Sequence, residues 1–186
     1  MKKSFFILLL SVCLVNLANA QKFFTKAGRI DFNATAPSSP ETIQAVNRTV
    51  TCVLDVANGN MQFAVLIKGF TFERALMQEH FNENYMESDK FPKAEFKGVV
   101  SNNATVNYTK NGTYAVTVKG KLTIHGQTND VEASGKIVVQ DGSVNATASF
   151  SVLLTDYKVD IPSLVADKVN KAAKIEVACN LEPLKS

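Results

Sequence analysis

Tryptophan is absent from the 186 residues, histidine occurs twice and cysteine three times. That scarcity narrows the chemistry. Neither His-x-x-x-His nor Cys-x-x-Cys spacing is present, so a zinc-type ligand set has nothing to start from and no metal site is expected. A catalytic triad or proton relay would have to be built on His80 or His125, two lone histidines that read more simply as surface or hydrogen-bonded residues. No Gly-rich phosphate loop occurs. Beyond the first twenty residues no apolar run is long enough to cross a membrane. Neither sign of charge dominates, so nothing attracts nucleic acid. Glu79, Glu83, Glu87 and Asp89 form a carboxylate group of the kind glycoside hydrolases pair. The interleaved Arg74, Lys90 and Lys93 make them read instead as a solvated face. No catalytic residue, cofactor or enzymatic activity is expected.

What is present begins with an export pattern. Lys2 and Lys3 precede an apolar run from Ser4 to Leu17, and Ala18-Asn19-Ala20 supplies a small-x-small cleavage site. The expected division is a signal peptide over 1–20 and one barrel domain over 21–186, periplasmic or secreted. The formal charge of +3 includes the two leader lysines, so the exported chain is close to neutral. Cys13 sits mid-run after Val12 and does not suggest a lipid anchor. Cys52 and Cys179 survive processing on apolar strand faces; a disulfide between them and a pair of buried thiols are equally compatible with the sequence.

The dominant signal downstream is alternation with period two. Val144, Ala146, Ala148, Phe150, Val152 and Leu154 alternate with Ser143, Asn145, Thr147, Ser149 and Ser151. Similar patterns mark strands near 28–34, 50–56, 61–67, 94–100, 116–124, 131–139 and 175–181. Turn signals fall at Asn58-Gly59, Asn111-Gly112, Gly126 to Asn129 and Asp141-Gly142. Eight strands joined by tight turns predict an all-β antiparallel fold, a closed barrel or a sandwich. Interior Gly98, Gly120 and Gly135 suggest the bending a barrel needs. Only residues 72–85 break the pattern: Phe72, Leu76 and His80 recur at i, i+4, i+8 and predict a short amphipathic helix across one end.

Three segments resemble the YceI-like family of bacterial periplasmic proteins. The first is Met77-Gln78-Glu79-His80-Phe81 with Met86 through Lys97, including Lys90-Phe91-Pro92. The second runs Gly120-Lys121-Leu122-Thr123-Ile124-His125-Gly126-Gln127-Thr128, and the third from Phe150 to Asp156-Tyr157. The resemblance implies an eight-stranded lipocalin-like barrel around an apolar tunnel, and a polyisoprenoid, isoprenoid quinone or similar lipid as the bound partner. It also implies a bacterial envelope setting, which makes the six Asn-x-Ser/Thr triplets uninformative. Residues Thr35 to Asn47 look irregular where many members carry a clean strand.

The exported chain has ten phenylalanines. Phe32, Phe63, Phe96 and Phe150 fall on the apolar faces of their strands, with Val65, Leu122, Ile124 and Val152. Phe70, Phe72, Leu76 and Phe81 come from the helical insertion and its flank. These twelve are the expected cavity lining. Small inward residues such as Ala34, Ala133, Ala146 and Ala148 leave room between them. The expected function is carriage or sequestration of a long apolar amphiphile. The alternatives are a filled barrel that presents its Thr- and Asn-rich outer face to a protein or glycan, and, more remotely, a hydrolase. A homodimer is compatible with either binding reading.

Overall fold

The computed structural model describes residues 22–184, so the expected signal peptide lies outside the described residues. Nine strands form: β1 (Lys22–Thr35), β2 (Gln44–Asp55), β3 (Asn60–Leu66), β4 (Phe70–Phe72), β5 (Lys93–Val100), β6 (Gly112–Ile124), β7 (Gln127–Gln140), β8 (Ser143–Leu153) and β9 (Val169–Pro183). Eight of them close a barrel. Antiparallel pairing runs β1-β2-β3-β5-β6-β7-β8-β9, and β9 returns to β1. The short β4 adds to β2, setting Phe70–Phe72 opposite Ala45–Asn47. Closure leaves no open sheet edge in the barrel itself. No helix among the described residues is long and apolar enough to cross a membrane.

The turns explain the register. Ile124 faces Gln127 across His125 (φ 49°) and Gly126 (φ 72°). Gln140 faces Ser143 across Asp141 (φ 49°) and Gly142 (φ 82°). Both two-residue loops have positive φ at each central residue, the geometry that matches strand twist. The first turn is therefore tighter than the expected 126–129, and Gln127 to Asn129 already pair as strand. The expected Asn111-Gly112 hairpin is also revised: Gly112 opens β6, and an irregular connection with a 3₁₀ turn at Asn103–Thr105 precedes it. The irregular stretch expected from Thr35 to Asn47 shrinks to the loop 36–43, which holds Pro37 and Pro40.

The expected helix over 72–85 divides. Phe72 belongs to β4, an α-helix α1 covers Ala75–His80, and a π-turn covers Phe81–Tyr85. The wider turn rotates the apolar face, so Phe81 and Met86 point inward. Leu76, expected inside, is 61% exposed.

β1 carries irregular register against both neighbours, between Thr25 and Ile30 on the β2 side and between Phe24 and Arg29 on the β9 side. Such bulges bend a strand sharply. Gly28 sits at this bend, where an added Cβ would lie 2.7 Å from Cys179 Sγ and 3.0 Å from the Val50 carbonyl. The missing side chain lets Cys52 of β2 and Cys179 of β9 meet across β1. Both are fully buried and stand as free thiols in the structure. The hydrogen bond to Cys179, reinforced by burial, pushes the Cys52 thiol far above its ordinary range.

Candidate functional site: an apolar tube with one open end

The two ends of the barrel are packed differently. At the end where β1 begins and β9 finishes, Phe23, Leu54, Val144, Leu181, Cys52 and Cys179 are all essentially inaccessible. With Val100 and Ile137 they form a continuous cluster that closes this end as a floor. At the opposite end, beneath α1, inward side chains keep surface uncovered. Phe32, Phe63, Phe96, Ile124, Phe150 and Ile175 pack on the upper core yet remain only half-buried. These residues lie on the concave face, so the surface they expose faces a void.

That void has a volume of about 160 Å³. Among its lining residues only Glu95, Lys136, Thr147 and Tyr157 carry polar side-chain atoms, and Glu95 and Lys136 carry their side chains on the exposed outer face. An apolar void of this kind stays dry when empty and accepts apolar guests. Along β8, its lining residues from Ala146 to Val152 span about 15 Å, at ~3.3 Å per residue and a strand tilt of about 40°. That is about half of the ~30 Å hydrocarbon thickness of a bilayer.

Of the twelve residues expected from sequence, Phe32, Phe63, Val65, Phe70, Phe81, Phe96, Leu122, Ile124, Phe150 and Val152 line this void. Phe72 and Leu76 do not. They line a second pocket of about 320 Å³ between α1, the loop 36–43 and the connection 154–168. The two spaces share Phe32, Phe81, Met86, Leu154 and Val159 as a common wall. Phe81 is the centre of that wall, its ring 5.7 Å from Phe32, 5.6 Å from Phe70 and 4.9 Å from Phe72. The π-turn that starts at Phe81 thus hangs one aromatic ring between tube and mouth.

Lining residues absent from the sequence-based set fall into two groups. Ile30, Met61, Val116, Val118, Ile175 and Val177 sit on the same alternating faces and were accessible to the same reasoning. Leu154 ends the alternation of 144–154 and belongs with the first group, whereas Met86, Tyr157 and Val159 lie in irregular connections whose pattern carries no inward signal.

Polar groups gather at the mouth in two clasps. On one side the Glu41 carboxylate spans two cations: Oε1 accepts from Arg74 Nη1 at 2.7 Å and Oε2 from Lys168 Nζ at 3.3 Å. On the other, His125 reaches Glu87 Oε2 through Nε2 at 2.7 Å and the Tyr157 carbonyl through Nδ1 at 3.1 Å. Both partners of His125 are acceptors, so both contacts are hydrogen bonds only when the ring carries two N–H donors. The edge-on contact of Phe91, 4.6 Å between ring centroids, fixes the ring plane. His125 therefore ties the β6–β7 turn to the segments after the π-turn and after β8. His80 stands apart, exposed on α1 beside the mouth pocket. Burial raises the Tyr157 phenol above its ordinary range.

A model of the YceI-like domain matches residues 18–181. Among curated proteins none matches in sequence. Among solved structures, a polyisoprenoid binding domain from Saccharophagus degradans, implicated in plant cell wall breakdown, is similar with a TM-score of 0.75 at 11% identity. The likeness covers 89% of this chain and 99% of that one. BcnA from Burkholderia cenocepacia is similar with a TM-score of 0.64 at 13% identity, over 83% of this chain and 95% of its own. At such identities these likenesses speak to the fold.

Proposed function

This chain belongs to the YceI-like domain family, and on that premise we propose that its barrel binds a long apolar amphiphile, chain inward, and carries or sequesters it in the bacterial envelope. The observation that supports this reading most is the asymmetry of the tube. At one end the inward side chains are essentially inaccessible, while the other keeps half-buried phenylalanines around an apolar void. A core selected only for stability fills such space, because each lost methylene of packing costs about 1 kcal/mol. A barrel with this void also lacks the filled interior on which the protein- or glycan-module alternative rested.

The energetics are adequate. By the measure in which one water takes ~10–15 Å³, the void holds on the order of ten chain carbons. At about 0.8 kcal/mol each, their burial supplies ~8 kcal/mol before the cost of immobilisation. The likeness to a domain described as polyisoprenoid binding supports a prenyl chain as the ligand. A chain longer than about 15 Å has to fold back or emerge through the mouth pocket. Apolar contacts of this kind discriminate weakly between chain lengths.

Export to the envelope is part of the proposal and rests on the Lys2-to-Ala20 pattern. The test uses the full precursor expressed in a bacterial host. Fractionation and N-terminal sequencing should find a periplasmic chain that begins at Gln21. Native mass spectrometry of that protein should find a hydrophobic adduct, or uptake of an added prenyl alcohol. A protein that carries no lipid and takes up none would overturn the carrier reading.

A further inference from the structure

The mouth pocket is chemically unlike the tube below it. Its lining includes Arg74, Lys168 and His80, against a single carboxylate, Glu41. Glu41 is the better sheltered member of the cluster, with a side chain 27% exposed against 68% for Arg74 and 42% for Lys168. Each of its oxygens is taken by a different cation, so the carboxylate marks a position in which one oxyanion receives donors from both sides. This position borders the pocket that shares the Phe81 wall with the tube.

The clasp is held by side chains only. Ser39 fixes the backbone of the Glu41 loop, its Oγ donating to the Glu41 carbonyl and accepting from the Glu41 N–H. A backbone bond from Ala36 N to the Lys168 carbonyl, 3.0 Å, joins that loop to the other connection independently. Glu41 can therefore swing away without unfastening the mouth. When it does, two cations remain beside the pocket with no carboxylate among the lining residues.

We propose that the ligand of this barrel carries an anionic oxygen headgroup, a carboxylate or a phosphate monoester, which replaces the Glu41 carboxylate between Arg74 and Lys168 while its chain enters the tube. The inference rests on the carrier reading above and adds the charge of the headgroup and the end at which it sits. A neutral headgroup leaves the internal ion pairs intact and gains nothing from them. An anionic one exchanges one carboxylate for another in the same donor set, and Glu41 moves to solvent. Glu41 is thus an internal competitor that keeps the cations paired while the tube is empty.

The experiment compares hexadecanoate with hexadecanol, which share a chain and differ in headgroup charge, by equilibrium dialysis against the full exported chain. Hexadecanoate is expected to bind at least 10-fold more tightly. E41Q removes the competitor and should tighten hexadecanoate several-fold while leaving hexadecanol unchanged. R74Q combined with K168Q should weaken hexadecanoate at least 10-fold and again leave hexadecanol unchanged, which also shows that the double variant is folded. Dodecyl phosphate in place of hexadecanoate distinguishes the two oxyanions. Equal binding of acid and alcohol, unaffected by these substitutions, would overturn the headgroup assignment and leave the carrier reading standing. Failure of both compounds to bind would remove the carrier reading itself.

Discussion

Replacing Ala148 by phenylalanine should block the tube without unfolding it. Ala148 lines the void, facing Gly135 of β7 and Val177 of β9 across the sheet. Gly135 offers no side chain to obstruct a new ring. The ring's six carbons occupy about six of the ten or so chain-carbon positions. At about 0.8 kcal/mol per carbon the ligand loses ~5 kcal/mol of burial. With 1.4 kcal/mol per decade, affinity for a prenyl alcohol should fall by roughly a thousandfold or more. Stability should change little. Burying the ring contributes about 1.5–3 kcal/mol, and local overpacking costs a comparable ~1–3 kcal/mol. Ser149→Phe is the control, because Ser149 is the next residue and points to the outside. Equilibrium dialysis and a thermal melt on both variants decide the matter. If Ala148→Phe folds normally and binds as the parent does, the chain does not occupy the tube.

Phe81→Ala should cost about 3–5 kcal/mol in urea denaturation and speed ligand release, since it removes the central ring of the wall between tube and mouth. Leu76→Ser, five residues earlier, should stay within ~0.5 kcal/mol because Leu76 already faces solvent. In native buffer neither Cys52 nor Cys179 should react with a maleimide; after unfolding both should, and an unfolded chain with no reactive thiol would show that they bridge in solution. Tyr108 donates its hydroxyl to Asn103 Oδ1 at 2.7 Å, and burial pushes its phenol up to about 12. An unfolded phenol ionises near ~10. Between these limits the unfolded chain releases a proton that the folded chain keeps, so stability is intact below about pH 10 and declines as pH rises towards 12. Because Tyr108 is partly exposed, the loss should be about 1 kcal/mol, visible as a difference between the parent and Tyr108→Phe in chemical denaturation at pH 9 and pH 11.5.

The strands were legible because alternation is a local consequence of one buried face, and every expected strand has a counterpart. Asp141-Gly142 was legible for a similarly local reason, since Gly and Asp tolerate positive φ. The turn at His125-Gly126 was harder to place. Histidine is an uncommon residue at φ 49°, and its ring is held there by Glu87 and Tyr157, which lie 38 and 32 residues away. The same holds for the helix. A period of 3.6 set Leu76 beside Phe72 on the apolar side, but a π-turn directly after α1 shifts the buried face to Phe81 and leaves Leu76 in solvent. Only the requirement to seat Phe81 among Phe32, Phe70 and Phe72 decides that shift. The mouth clasp was invisible in the sequence for a stronger reason. Glu41, Arg74 and Lys168 come from three separate connections, and no spacing rule links them.

Hollowness is the property that alternation could least reveal. Period two tells which side chains enter a barrel; it does not tell how full the barrel is. Fullness depends on which inward residues meet at one height across the tube, and that is set by strand stagger. In this chain the stagger brings Phe23, Leu54, Val144 and Leu181 to one level, and they close it. Higher up, Ala133, Ala146 and Ala148 line the wall between the larger rings, and a gap remains. The composition of the two levels is equally apolar. Their difference lies in where small residues fall along the axis, so a change of side-chain volume at one height can open or close the tube while the strand pattern stays the same.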